Sequence, residues 1–343
     1  MSFGIPVRNG VGLGLTLSTA LSPGVRGIRP ALLLNFVNTT ALDSRITFTR
    51  ASTATFIGSN GVIQSAAINA PRFDYNPSTL ASRGLLIEET RTNLLLNSLI
   101  DGTSLSTQSV TVAAVSHTIS FYGTGSITLT GAATATVTGT GVYPNRRTLT
   151  FTPIVGILVC TVVGSVQYAQ LEVGTFATSF IPTAGTSVLR SPDVAQMTST
   201  NFSSWYNQTE GTFVVGADGP AIGTQIITQA DDGTQTERIT GRFTGATSTF
   251  VVVDNNAGQV ALSSGTITAN VPQKLAYAYK LNDFALVWAG LAAVTDTAGT
   301  LPTPNILRVG VNAAGTEYLN GHIRQIVYYK TRLADTTLRV LTV

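Results

Sequence analysis

The residues that could do acid–base chemistry are Asp193, Asp218, Asp231, Asp232, Glu237 and Asp254. Hydrolysis of a glycosidic bond needs two carboxyl groups opposed across a cleft. Asp231 and Asp232 are adjacent, so on a strand they would point to opposite faces. Followed by Gly233, they read instead as a hairpin turn, since Asp and Gly suit such loops. The histidines are His117 and His322, each heading an alternating run, with neither a Ser-His-Asp order nor a His-x-x-x-His spacing. Cys160 is the single cysteine and sits in the apolar run Ile157 to Val163. It reads as a small buried hydrophobe, with no thiolate metal site and no intrachain disulfide open to it. The expectation is no enzyme, no metal and no cofactor.

Binding chemistry has one better candidate. Sugar C–H faces stack on aromatic rings while amides bond the hydroxyls. Trp205, Tyr206, Asn207 and Gln208 supply both residue types side by side, just before a strand. The competing reading makes Trp205 a half-buried seal between two sandwiches. Trp288 shares a strand face with Phe284 and Leu286 and is read as core. Tyr277 and Tyr279 share a face too, whereas Tyr328 and Tyr329 point oppositely, one expected in the core and one exposed.

The elements that must carry these residues are strands. Charged residues are 11% of the 343, against about 25% in ordinary soluble domains, while hydrophobic residues reach 43%. That hydrophobicity excludes disorder. Thr on outer strand faces and Gly in turns account for the rest. Lys and Arg number 20 against 17 Asp and Glu, for a net charge of +3. The arginines are scattered singly apart from Arg146-Arg147, and nucleic-acid binding would need a basic stripe. No apolar stretch approaches the length of a membrane span. Residues 1–21 faintly imitate a signal peptide, but Gly and Thr interrupt the apolar run, and no cleaved leader is expected.

Along the chain, residues 1–28 are Gly-rich with alternating Val11, Leu13, Leu15 and Leu17, an extended anchoring arm expected to pack on a neighbouring chain. Residues 29–97 hold short strands such as Ile46 to Arg50, with Asn60-Gly61 as a turn ready for positive φ. Residues 98–190 are purely β, with Gly turns at the spacing of a sandwich. Residues 191–343 read as a second antiparallel sandwich, with Asp254 to Gly258 as a hairpin loop. The only helices expected are short, at Thr200 to Trp205 and Ala334 to Val340. The fold class is all-β. Arg45, Arg50, Arg72 and Arg91 would pair with Asp43, Asp74, Glu88 and Glu89 only if buried together.

Four stretches in order, Leu34 to Phe36, Leu42 to Thr55, Ala70 to Tyr75 and Gly84 to Leu95, resemble a segment common in phage and prophage virion proteins labelled tail, fibre, spike or minor capsid components. Ala169 to Gly174 with Thr178 to Thr183 is similar to the closing strand of jelly-roll carbohydrate-binding modules. Gly211-Thr212-Phe213, Leu307 to Gly310 and Leu319 to Tyr329 resemble concanavalin-A-like and laminin-G-like sandwiches. Laminin-G-like domains sometimes hold calcium, for which Asp218 and Asp231 would serve, but such ions want about six to eight oxygens, and acids are scarce here. A depolymerase tailspike would bring a long repetitive β-helix, and no such repeat is visible.

The resemblance implies a structural component of a phage particle, a fibre, spike or decoration subunit assembled in the host cytoplasm. Residues 29–97 would be its virion-type attachment region, so that residues 1–97 contact other virion proteins. A homo-oligomer, preferably a trimer, would display the sandwiches and bind host-surface polysaccharide through many copies. Alternatives are an architectural cement protein that binds no glycan, and a secreted lectin.

Overall fold

The computed structural model describes residues 27–37, 39–99 and 101–343. The anchoring arm expected over 1–28 therefore lies, up to residue 26, outside the described residues. Among the described residues the chain is all-β, with two antiparallel sandwiches and two short helices, Thr200–Ser203 and Asp335–Leu341.

The larger sandwich has an eight-stranded and a seven-stranded sheet. The first runs Val294–Asp296, Asp283–Trp288, Gln273–Lys280, Glu210–Asp218, Gly321–Tyr329, Ser82–Ile87, Phe73–Tyr75. Its eighth strand, Leu32–Asn35, pairs with the later half of Gly321–Tyr329 while Ser82–Ile87 pairs with the earlier half. The second runs Thr47–Thr49, Val194–Thr198, Ile306–Val309, Thr224–Asp231, Arg238–Thr244, Thr247–Asp254, Ala257–Ser264. Residues 29–97 thus contribute strands to both sheets. These strands are three to six residues long, too short to bury an apolar face alone, and they do so by extending a larger sheet.

Between the sheets lie Phe213, Phe243, Phe250, Tyr277, Tyr279, Trp288 and Tyr328. Tyr277 packs where Gly241 offers no side chain: a Cβ there would come within 2.4 Å of the ring. Tyr329 departs from the expectation of an exposed tyrosine. It is buried on the opposite face with Ala276, Ala278 and Val287, because Leu333 and Leu338 of the C-terminal segment cover that face. Local turn chemistry follows residue type. Gly61 has φ of 76° between Ala54–Ile57 and Ile63–Ala66, and Asn255 and Asn256 have φ of 51° and 60°. Two positive values are what a primed two-residue hairpin turn requires.

The smaller sandwich is an insertion into the larger one. The chain leaves through Arg91–Asn93 and returns through Val188–Arg190, which pair antiparallel as a stem. The insert packs a four-stranded sheet (Ala135–Thr138, Ser126–Gly131, Gly156–Val163, Gln108–Val112) on a three-stranded one (Arg147–Phe151, His117–Tyr122, Gln167–Val173). Ile119, Phe121, Leu129, Leu158 and Leu171 fill its core with Cys160, whose thiol burial pushes up to about 11. That thiol is a packing group.

Candidate functional site at the junction of the sandwiches

The chemistry-bearing residues converge where the insert meets the larger sandwich. Arg72 is fully buried; its Nη1 donates to Glu88 Oε2 at 2.7 Å and its Nη2 bonds Asp193 Oδ2. Arg50 Nη1 reaches the other oxygen of Asp193 at 3.0 Å. Arg190 Nη1 reaches Glu88 Oε2 at 2.8 Å. From the insert's closing segment, Ser179 donates its backbone N–H to Glu88 Oε1 at 2.7 Å and its hydroxyl to Oε2 at 2.6 Å. Thr55 bonds the Phe180 carbonyl. Buried Glu172, held by Gln170 Nε2 and by both donors of Thr178, adds a third carboxylate that supports Arg190. Three guanidiniums thus face three carboxylates.

Electrostatics favour the charged forms of Glu88 and Arg72. Burial opposes the charge on Glu88, but Arg190, Arg72 and the Ser179 donors hold its carboxyl well below the usual carboxylate range. Burial likewise opposes the charge of Arg72, and Asp193 and Glu88 more than reverse it. A buried ion pair stabilises little by itself, yet removing one partner strands a charge in low dielectric. The network therefore fixes geometry.

Beside it lies a cleft of about 270 Å³ lined by Asp74, Arg83, Glu88, Tyr122, Arg146 and His322, among others. His322 is buried, its Nδ1 2.8 Å from Asp218 Oδ1 and its Nε2 3.0 Å from Asp74 Oδ2. A neutral imidazole donates from one nitrogen only, whereas the imidazolium serves both acceptors. Burial works against that charge, but Asp218 and the two hydrogen bonds raise the His322 pKa despite Arg83 nearby. The ring is a strut between strands Phe73–Tyr75 and Glu210–Asp218.

The sequence's aromatic candidate sits elsewhere. Trp205 is 2% exposed, inside the core between the two sheets of the larger sandwich, with Nε1 donating to Asn201 O at 2.7 Å. It meets Phe202 and Tyr328 edge-on at 5.0 Å. Tyr206 stacks on Phe202 at 4.5 Å. Asn207 Nδ2 donates to Lys330 O at 2.6 Å, and Gln208 Nε2 bonds Pro302 O. These four residues fasten the short helix to the sandwich, and the indole offers no open platform. Its place is within one sandwich, not between two.

The six carboxylates do not gather. Asp193 and Asp218 serve the junction. Asp231 is buried and accepts from Arg308 Nε at 2.8 Å. Asp232 bonds Thr234, Glu237 accepts from Asn255 and Thr303 N–H, and Asp254 accepts from Thr300. His117 stacks on Phe151 in the insert. Of the pairings considered from sequence, Arg45–Asp43, Arg72–Glu88 and Arg91–Glu89 form, while Arg50 takes Asp193. Asp193, Arg190, Glu172 and Ser179 are the members that sequence reasoning missed as partners. Nothing local marks them, since Arg50 and Asp193 are 143 residues apart.

No family model matches the chain, and no curated protein matches it. Among solved structures it is similar to the CBM40 of the Ruminococcus gnavus IT-sialidase bound to α2,3-sialyllactose: 15% identity, 40% of this chain and 83% of that one, TM-score 0.35. The NanB sialidase from Streptococcus pneumoniae gives 13% identity, 42% of this chain and 26% of that one, TM-score 0.36. A botulinum neurotoxin type C structure concerned with ganglioside binding gives 7% identity, 44% and 39% coverage, TM-score 0.35. At these scores the overlaps span under half of this chain and carry no ligand or activity across to it.

Proposed function

We propose that the chain is a structural subunit of a bacteriophage particle, a fibre, spike or decoration component that holds two β-sandwiches outward for contact with host-surface glycan. One observation supports this reading above others. The stretches resembling virion proteins contribute Thr55, Arg72 and Glu88, which bond Phe180 and Ser179 of the insert. They also contribute Arg50 and Asp74, which brace that contact from within the larger sandwich through Asp193 and His322. The shared motif is then a coupling device for a two-lobed display unit. Charged groups committed to ion pairs suit such a device better than turnover. Anchoring falls to the N-terminal residues, and many copies, arranged as trimers, make weak glycan contacts effective.

The test is incorporation. Particles assembled with the full chain carry it after purification, detected by peptide mass spectrometry, and deletion of residues 1–28 removes it from particles while the deleted protein still folds. A chain that is missing from purified particles, or is incorporated equally after the deletion, overturns the reading.

A further inference from the structure

The outer face of the seven-stranded sheet carries a polar row that neither core nor junction uses. Across the pairing, Gln196 stands opposite Arg308, Arg308 opposite Gln229, and Gln229 opposite Thr240. A straight line of hydrogen-bonding side chains therefore crosses four strands. Arg238 and Arg242 flank Thr240 on the same face of one strand, by the two-residue period. The loop from Val311 to Tyr318 folds over this end, held by Asn312, whose Oδ1 accepts from Thr316 and Glu317 N–H at 3.0 and 3.3 Å. Between loop and sheet is a cleft of about 240 Å³, lined by Gln229, Arg238, Thr240, Arg242, Asn312 and Glu317 with others.

The charges in this cleft do not balance. Arg308 is neutralised by Asp231, which also accepts from Gln229 Nε2 at 3.0 Å. Arg238 and Arg242 have no ion pair among the described residues. Arg238 bonds the Gln235 carbonyl and Arg242 Nε donates to Thr249 Oγ1 at 3.2 Å. Most of their guanidinium donors stay open. Burial and the charge of Arg242 both depress the Arg238 pKa, and Glu317 only partly offsets this. Arg238 and Arg242, four residues apart on the same face of one strand, repel each other, and an anion between them would relieve that repulsion.

We infer that this cleft is a binding site for an acidic saccharide, a carboxylate-bearing sugar of a polysaccharide chain. The two guanidinium forks match a carboxylate. The exposed Thr316 and half-buried Gln235 line the same cleft and present a hydroxyl and an amide to ring hydroxyls. The buried Gln229, Thr240 and Asn312 brace its floor through Asp231, Gln229 and the Thr316–Glu317 turn. The cleft has room for a sugar ring, which a bare anion would leave unfilled. The inference deepens the display part of the proposed function, and the site stands or falls independently of where the subunit sits on a particle.

The experiment is isothermal titration of the full chain with oligogalacturonate, sulfated dextran and neutral dextran. Oligogalacturonate is expected to bind, weakening as salt rises, and neutral dextran is expected not to. Arg238→Gln/Arg242→Gln, with an unchanged melting temperature, should weaken binding by about tenfold or more. Glu317→Gln should tighten it by removing a carboxylate that competes with the ligand, and Arg147→Ala on the insert should leave it unchanged. Failure of oligogalacturonate at millimolar concentration overturns the inference. So does equal binding of neutral dextran, binding of the sulfated polymer alone, or an unaffected double variant. Binding by a chain absent from particles would keep the site and sink the virion reading; incorporation without binding would do the reverse.

Discussion

His322 shows how one side chain at the junction makes stability depend on pH. Its folded pKa lies above the ordinary 6.5. The stabilisation it draws from Asp218 and Asp74 is thus complete below about 6.5 and disappears as pH rises through the raised value. Asp218 behaves oppositely. Burial would raise it, but His322 and Arg83 hold it below 3.8, so its contribution is present above that value and lost as acid passes the folded one. The melting temperature of the native chain should therefore fall more between about pH 6 and about pH 9 than that of His322→Gln. Parallel curves would remove the imidazolium from the account. In the sequence His322 was visible only as the head of an alternating strand, because its partners Asp74 and Asp218 lie 248 and 104 residues away.

Elements were far more legible than contacts. Period-two alternation in Thr47–Thr49 corresponds to alternating exposure in the structure, whereas Leu32–Asn35 alternates in burial alone, with Leu33 exposed, and turn residues sit where positive φ is needed. What alternation does not encode is which sheet a strand joins. Residues 29–97 read as a region of their own, yet Leu32–Asn35, Thr47–Thr49 and Ser82–Ile87 pair with strands more than a hundred residues later, Gly321–Tyr329 and Val194–Thr198. Burial on both faces is equally silent in a local window. Tyr329 and Trp205 both carry polar atoms and lie near ends of elements, where exposure is the ordinary expectation, and both are covered by segments from elsewhere. Packing at this scale is testable at Gly241. Adding one methyl by Gly241→Ala drives it into the Tyr277 ring. The expected cost is about 1–3 kcal/mol, the usual range for overpacking a filled core, read as a lower urea midpoint with unchanged slope. A neutral result would mean that the two sheets can separate locally.

For the whole molecule, an insert joined by a two-stranded stem would ordinarily swing on it, because interfaces within one chain resemble transient ones. Here the stem is reinforced at a buried carboxylate: Glu88 of the larger sandwich accepts from Ser179 of the insert, while Arg190 of the stem and Arg72 close on the same group. A display unit with this junction keeps a constant angle between its lobes, so a polyvalent array of copies meets a surface in register. Distances between spin labels report that angle directly. With one label at Ser109 on the insert and another at Ser263 on the larger sandwich, double electron–electron resonance should give a single narrow distribution in the native chain. Glu88→Gln, which leaves Arg72 and Arg190 without their shared charge, should broaden it while both sandwiches stay folded. A broad distribution in the native chain, or one that Glu88→Gln leaves as narrow as before, would contradict a charge-locked junction.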